Sequence, residues 1–235
     1  MIAIWKRELQ SYFSTAVGYV FMGVFLILCS VMFFVEILQP RSGDMLTFLG
    51  QLSYLWMLAT PVLTMRLLAE ERQKKTDQLL MTSPVSLTGI VLGKYAAAVT
   101  VMLATVALTL LYAGIVAIYG TVYPGELLTG YLGFICQGCA FIAVDLFISS
   151  VSNNQVTAAV VAFGVNILLW MMDVVAAYMP AWLDRVMTFV SLYSRNEPFL
   201  MGQLSFASIA FDAVVTAAFL VLSIHHLDSR RYRGA

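Results

Sequence analysis

The sequence predicts an all-α membrane domain with six transmembrane helices. Of its 235 residues, 61% are hydrophobic and 11% are charged, and the mean hydropathy is +0.87. Soluble domains have about 45–50% apolar and about 25% charged residues, so a soluble fold is excluded. A helix needs about 20 apolar residues to cross the hydrocarbon core, and six segments of that length are present. They leave no length for a separate catalytic domain, and 1–235 is predicted to be one transmembrane domain.

Short polar stretches separate the apolar segments. The spans are expected at 17–38, 46–69, 95–119, 127–151, 156–178 and 205–227. The segment before the first span, 1–16, is amphipathic. Its apolar residues fall on one helical face: Ile2, Trp5, Leu9, Tyr12 and Phe13. This pattern predicts a helix that lies at the membrane interface.

Two connections are longer than antiparallel helices require. The first, 70–94, is charged at its start, then apolar, and is interrupted at Ser83 and Pro84, which predicts a short amphipathic helix stopped by proline. The second is 179–204. Its apolar residues recur at helical spacing, which predicts a helix lying against the outer membrane face or dipping into it: Leu183, Val186, Met187 and Val190.

The basic residues predict the orientation. The chain has 13 lysines and arginines. With the N-terminus inside, only Arg41, Arg185 and Arg195 fall in outer segments. Short loops rich in Lys and Arg remain cytoplasmic, so both termini are expected there.

Catalytic chemistry is not expected in this chain. The sequence contains no H-E-x-x-H, G-x-S-x-G, G-x-G-x-x-G or Walker A pattern. No catalytic, cofactor-binding or metal-binding residue is therefore predicted. The formal net charge is zero, which gives no reason to expect a nucleic-acid partner.

Three polar residues inside the apolar segments are candidates for a substrate or ion pathway: Asp145, Asp212 and Asn166. An acidic residue near a helix centre costs about 2.5–3.5 kcal/mol to insert, so it requires water or a partner. One interpretation is a polar cavity or coupling-ion site. The other is a solvated helix end or a hydrogen bond between helices.

The charged connection also has two interpretations. In one, the connection is a docking element for a cytoplasmic partner. In the other, it is a solvated loop whose charges only fix the topology. Spacing alone does not decide between them.

The same connection carries a family resemblance. Its motifs are Met65 to Arg72, then Thr76 to Ser86 with Leu79-Leu80 and Ser83-Pro84, then Ile90 to Lys94. They resemble the ABC-2 type transporter permeases, although Asp77-Gln78 stands where that family commonly has Leu-Glu. Further similarity, at Lys6 to Leu9 and from Ser149 to Gln155, is to the subgroup associated with gliding motility.

The resemblance implies a type V exporter-like permease in a bacterial inner membrane. The partners it implies are cytoplasmic ABC ATPase subunits that bind ATP and magnesium, a second permease subunit (the same chain or a different one), membrane lipid and an accessory envelope protein. The connection would form the coupling helix. Its implied ATPase-docking residues are Glu70, Glu71, Arg72, Thr76, Gln78, Leu79, Leu80, Ser83 and Pro84.

Two other functions remain open from the residues alone. In the first, the chain would be an ion-coupled secondary carrier that uses Asp145 and Asp212. In the second, it would be an envelope scaffold without transport. The resemblance favours an ATP-driven exporter over both, and it does not identify the substrate.

Overall fold

A computed structural model describes residues 1–40, 43–75, 86–119, 123–176 and 178–233 of the chain. Ten α-helices are present in this part of the chain: α1 (Ile2–Ser14), α2 (Ala16–Phe33), α3 (Met45–Thr64), α4 (Ala69–Gln73), α5 (Leu87–Tyr119), α6 (Pro124–Val151), α7 (Gln155–Ala176), α8 (Ala181–Val190), α9 (Leu192–Leu200) and α10 (Phe206–Arg233). A π-helical turn, Phe34–Leu38, extends α2.

Six helices are long and apolar enough to cross a membrane, which confirms the predicted fold class. They contain α2, α3, α5, α6, α7 and α10. The third, α5, begins at Leu87 rather than near 95, and Ser86 Oγ accepts a hydrogen bond from the Gly89 amide at its start. Gly93 and Lys94 interrupt the apolar run in the sequence, but both are buried inside the helix. The predicted connection 70–94 is therefore shorter than expected.

Helix α1 packs along the start of α5, and the face that it turns to the bundle is not made of apolar residues alone. A Cβ atom at Gly93 would lie 3.0 Å from the Ile4 side chain, so the two helices approach closely there. Ile4 and Tyr12 are buried, whereas Ile2 is exposed. The face turned to the bundle therefore keeps four residues of the predicted face and adds Ile4 and the Glu8 carboxylate, while Ile2 is left outside it. The four predicted residues are Trp5, Leu9, Tyr12 and Phe13.

The centre of the bundle is built around Trp56 of α3, which is 1% exposed. The rings of Phe25 and Phe134 meet its indole edge-to-face, at centroid distances of 5.3 and 6.0 Å. Gly138 of α6 permits this packing, because a Cβ there would lie 2.6 Å from Met102 Sδ and 3.1 Å from the Trp56 Nε1. Helices α2, α3, α5 and α6 thus share one core.

Helices α8 and α9 form a hairpin that enters the bundle from the end opposite α1. Its turn is at Ser191 and Leu192, and Leu192 packs with Met57 and Ala140. Met57 lies about 18 Å along α3, so the turn reaches deep between the spans. That the segment 179–204 dips into the membrane stays a prediction.

Polar contacts hold this hairpin in place. The Ser191 and Ser194 hydroxyls donate to the Asp173 carboxylate of α7 at 2.5 and 2.7 Å. Asn196 donates from Nδ2 to Gln137 Oε1 of α6 at 2.9 Å. Buried polar groups at this depth are costly unless they are hydrogen-bonded, so these bonds fix the hairpin against α6 and α7.

Candidate functional site

Four charged side chains join three helices at the end of the bundle where α1 lies, which we call the basic end. Lys94 Nζ of α5 lies 3.0 Å from Glu8 Oε1 of α1 and 2.9 Å from Glu71 Oε1 of α4. Arg7 Nη2 lies 2.8 and 2.9 Å from the same two atoms. We call Arg7, Glu8, Glu71 and Lys94 the ion network.

The ion network is partly buried. The side chain of Lys94 is 1% exposed, and those of Glu8 and Glu71 are 14% and 18% exposed. The hydrogen bond from Arg7 to Glu8 is the main cause that raises the pKa of Arg7, so this side chain remains cationic. Two cations balance two carboxylates, which is the condition for charges to remain buried.

A second set of ion pairs lies on the neighbouring face of α4. Arg66 Nε donates to Glu70 Oε2 at 2.8 Å, and Lys74 Nζ donates to Glu70 Oε1 at 2.7 Å. Both pairs have i,i+4 spacing. These contacts are local to the chain around α4 and support its helical conformation.

Helix α4 and the C-terminal end of α6 cap each other. Ser149 Oγ accepts from the Leu68 and Ala69 amides at 3.2 and 3.1 Å, at the start of α4. In return, Arg72 Nη1 donates to the carbonyls of Val151 and Ser152 at 2.8 and 2.7 Å. Helix ends leave such amide and carbonyl groups unpaired, so this exchange satisfies both helices.

The structure therefore places three of the predicted docking residues in contacts within the chain. All three belong to α4: Glu71 and Arg72 hold it to the rest of the bundle, and the ion pairs of Glu70 are local to α4 and the residues beside it. Whether they also touch an ATPase stays a prediction. The other predicted docking residues lie outside the described residues: Thr76, Gln78, Leu79, Leu80, Ser83 and Pro84.

Sequence analysis gave no role to the residues that hold α4. Arg7 and Glu8 belong to the predicted amphipathic segment and Lys94 to the predicted connection 70–94, and Ser149 begins a stretch that resembles the gliding-motility subgroup. One signal could have found the network. Positions 4, 8 and 12 repeat at helical spacing, which places Glu8 on the face of α1 that also carries Ile4 and Tyr12.

The candidate pathway residues divide into a pair and a separate residue. Asn166 Nδ2 of α7 donates to Asp145 Oδ2 of α6 at 3.3 Å and to the Met57 carbonyl of α3 at 3.1 Å. Asp145 and Asn166 are each 0% exposed. Asp212 is 3% exposed and lies elsewhere, near Cys136 and Cys139. The first pair thus forms a hydrogen-bonded link between three helices, and one oxygen of each side chain, Asp145 Oδ1 and Asn166 Oδ1, is buried without a hydrogen-bond partner among the described residues.

An apolar groove of about 460 Å³ runs between α2 and α3. Its lining is almost wholly hydrocarbon and includes Phe21, Leu58 and Val62, with Phe163 of α7 at one side. A groove of this composition accepts acyl chains or other apolar groups and offers little to a charged solute.

Comparison with known protein families decides which class of membrane protein this is. Residues 52–226 match the family described as ABC-2 family transporter protein, and this range covers most of the bundle. The chain belongs to the ABC-2 family of transporter proteins. A comparison with curated proteins finds no match.

Membership of the ABC-2 family, together with the six apolar helices, makes the chain a multi-pass membrane protein. Proteins of this family are the transmembrane permease components of ABC transporters, and they work with an ABC ATPase subunit. The membrane component is normally not catalytic, and the ATPase lies in a separate subunit.

Proposed function

We propose that this chain couples ATP-driven movement of a separate ATPase to the export of an apolar or lipid-linked substrate. The observation that carries the proposal is the anchoring of α4. This helix leads into the connection predicted to meet the ATPase, and it is bonded to α1 and α5 through the ion network and to α6 through Arg72. A displacement of the connection would therefore move three elements together.

In this proposal the basic end faces the cytoplasm, as the distribution of Lys and Arg favours. ATP and magnesium bind to the ATPase and not to this chain. A second permease subunit, most simply another copy of this chain, completes the membrane part. The substrate passes along the apolar groove between α2 and α3, whose hydrocarbon lining supports an apolar or lipid-linked cargo. We place the chain in a bacterial inner membrane and in the gliding-motility subgroup on its resemblance to that subgroup.

Each bond of α4 has a defined part in this mechanism. Lys94 contacts carboxylates on two different helices and, together with Arg7, balances their charge, so separating α1 from α4 would leave buried charges unpaired. Arg72 binds successive carbonyls with one guanidinium, a geometry that keeps the α6 end fixed relative to α4. These contacts make α4 a rigid junction between the connection and the spans.

The test is affinity purification of the tagged chain from native membranes in mild detergent, followed by identification of its partners and an ATP hydrolysis assay. We expect an ABC ATPase in the complex and ATP hydrolysis that responds to the permease. The variant Glu71→Lys should insert normally but lose the link between hydrolysis and transport. Glu197→Lys makes the same charge change on an exposed residue of α9 and serves as the control.

Two results would overturn the proposal. The first is a chain that purifies without an ATPase under conditions that preserve a known ABC transporter. The second is Glu71→Lys with normal coupling. Transport that follows a proton or sodium gradient without an ATPase would instead support the ion-coupled carrier.

A further inference from the structure

Arg195 of α9 is a guanidinium without a counterion in an apolar part of the bundle. Its Cζ lies 4.9 Å from the ring centroid of Phe189 and 5.2 Å from that of Phe211. Its Nε is buried and has no hydrogen-bond partner, and no ion pair to it is found among the described residues. Cation–π contacts hold the planar group but leave the donors along its edge unused.

Among the residues that the structure describes, no acidic side chain forms an ion pair with Arg195. Asp173 binds the hydroxyls of Ser191 and Ser194, and Asp212 lies toward the cysteines of α6. Of the residues that the structure does not describe, only Asp77 is acidic, and in the sequence it follows Lys75 of the basic end by two positions. Arg195 therefore has room for a counterion from outside the chain.

The position of Arg195 indicates where that counterion lies. Phe211 is about 7.5 Å along α10 from its first residue, Phe206. Phe206 and Trp182 are 76% and 69% exposed, and exposed aromatic residues at the ends of spans mark the membrane interface. Arg195, which packs on Phe211, thus lies about 7.5 Å below the interface on the side opposite the basic end, and a long side chain can extend over that distance toward the lipid phosphates.

The apolar surroundings favour a lipid over a soluble anion. Phe189 and Val186 are more than half exposed on the adjacent face of α8, so acyl chains can cover them. A guanidinium binds a phosphate through two parallel hydrogen bonds, which matches the unused edge of Arg195. An unpaired charge at this depth costs several kcal/mol, and the bound phosphate removes that cost.

We propose that Arg195, held between Phe189 and Phe211, binds the phosphate group of a membrane phospholipid in the leaflet opposite the basic end. In the proposed orientation this is the outer leaflet. The site does not depend on the transport function, because it uses only the hairpin and α10. It gives the α8–α9 hairpin a contact with lipid as well as with the bundle.

The test measures binding of phosphatidylglycerol to the delipidated full chain by native mass spectrometry. Digalactosyl diacylglycerol, which has no phosphate, and inorganic phosphate are the comparison ligands. Arg195→Gln should weaken phosphatidylglycerol binding about tenfold or more, as expected for the loss of charge-assisted hydrogen bonds. Arg185→Gln, at an exposed arginine on α8, should change it by less than about twofold.

Four results overturn the proposal. They are unchanged binding in Arg195→Gln, an equal loss in Arg185→Gln, equal binding of the phosphate-free lipid, and equal binding of inorganic phosphate, which would indicate a free-anion site. If Arg195→Gln does not fold, Phe189→Leu decides the question. This variant keeps the charge and removes one ring, so phosphatidylglycerol binding should still fall, and unchanged binding contradicts the proposed site.

Discussion

Replacing Lys94 by Met tests whether the ion network holds α1, α4 and α5 together. Met keeps the apolar length of the side chain and removes its charge, so Glu8 and Glu71 lose the cation that lies 3.0 and 2.9 Å from them. Removing one partner of a buried pair costs about 3–5 kcal/mol. Arg7 still contacts both carboxylates, and they are 14% and 18% exposed, so the lower limit, about 3 kcal/mol, is expected.

This loss corresponds to a fall in melting temperature of about 6–12 °C for a domain of this size. Thermal unfolding of the purified protein in one detergent, followed by tryptophan fluorescence, measures it. Lys6→Met is the matched control because Lys6 is exposed on α1, and its melting temperature should stay within about 2 °C of the wild type. Adding Glu8→Gln and Glu71→Gln to Lys94→Met should recover much of the stability, because the unpaired charges are then gone.

The reasoning is refuted if Lys94→Met melts like Lys6→Met. It is also refuted if the triple variant is less stable than Lys94→Met, since the carboxylates would then not be the source of the loss.

Three further predictions concern other junctions of the fold. Arg72→Gln should lower the free energy of unfolding by about 1.5–3 kcal/mol and speed amide exchange around 149–155. Arg72→Lys should not restore the lost stability, because a single ammonium cannot bind successive carbonyls. Amide protection equal to that of the wild type in either variant contradicts the capping role. Gly133→Ala places a Cβ 2.6 Å from the Asn196 and Phe199 side chains, so the free energy of unfolding should fall by about 1–3 kcal/mol and the hairpin should become more sensitive to protease. Gly114→Ala is the control, because a Cβ there meets nothing within 4 Å, and it should be neutral. Asp44→Ala removes the cap of α3 and should lower the free energy of unfolding by about 1 kcal/mol. Hydrogen bonds to the Asp44 carboxylate, the largest from the Thr47 hydroxyl, lower the pKa of Asp44. The stabilisation by Asp44 is therefore complete above about pH 4 and disappears as the pH falls through the pKa of the folded state. A pH titration of the melting temperature, compared with the alanine variant, should show the two curves converging in acid; a constant difference contradicts this assignment.

Hydropathy alone was sufficient to predict the six spans, because bilayer thickness sets their length whatever they pack against. It placed the start of α5 too late, since Gly93 and Lys94 look like the end of a loop. Their burial depends on α1, which is distant in sequence. The same long-range contact turned Ile4 and Glu8 of α1 inward beside the predicted Tyr12, and it left Ile2, which hydrophobicity favoured, exposed.

The candidate site was predictable in location and not in its bonding. The motifs around α4 drew attention to Glu70, Glu71 and Arg72, but a motif cannot show whether a charge is directed at a partner or at the same chain. The bond from Arg72 to the α6 end joins residues about 80 positions apart. Such a contact depends on how the helices pack, and one sequence does not record that packing.

The central claim is that the connection after α4 meets an ATPase on the cytoplasmic side, and photo-crosslinking in cells tests it most directly. A photoreactive amino acid replaces Lys75, the exposed residue after α4, or Trp182, exposed at the opposite end as the control. The account predicts a crosslink from position 75 to an ABC ATPase and none from position 182. A crosslink to the ATPase from position 182, or none from position 75 while the complex is intact, would contradict it.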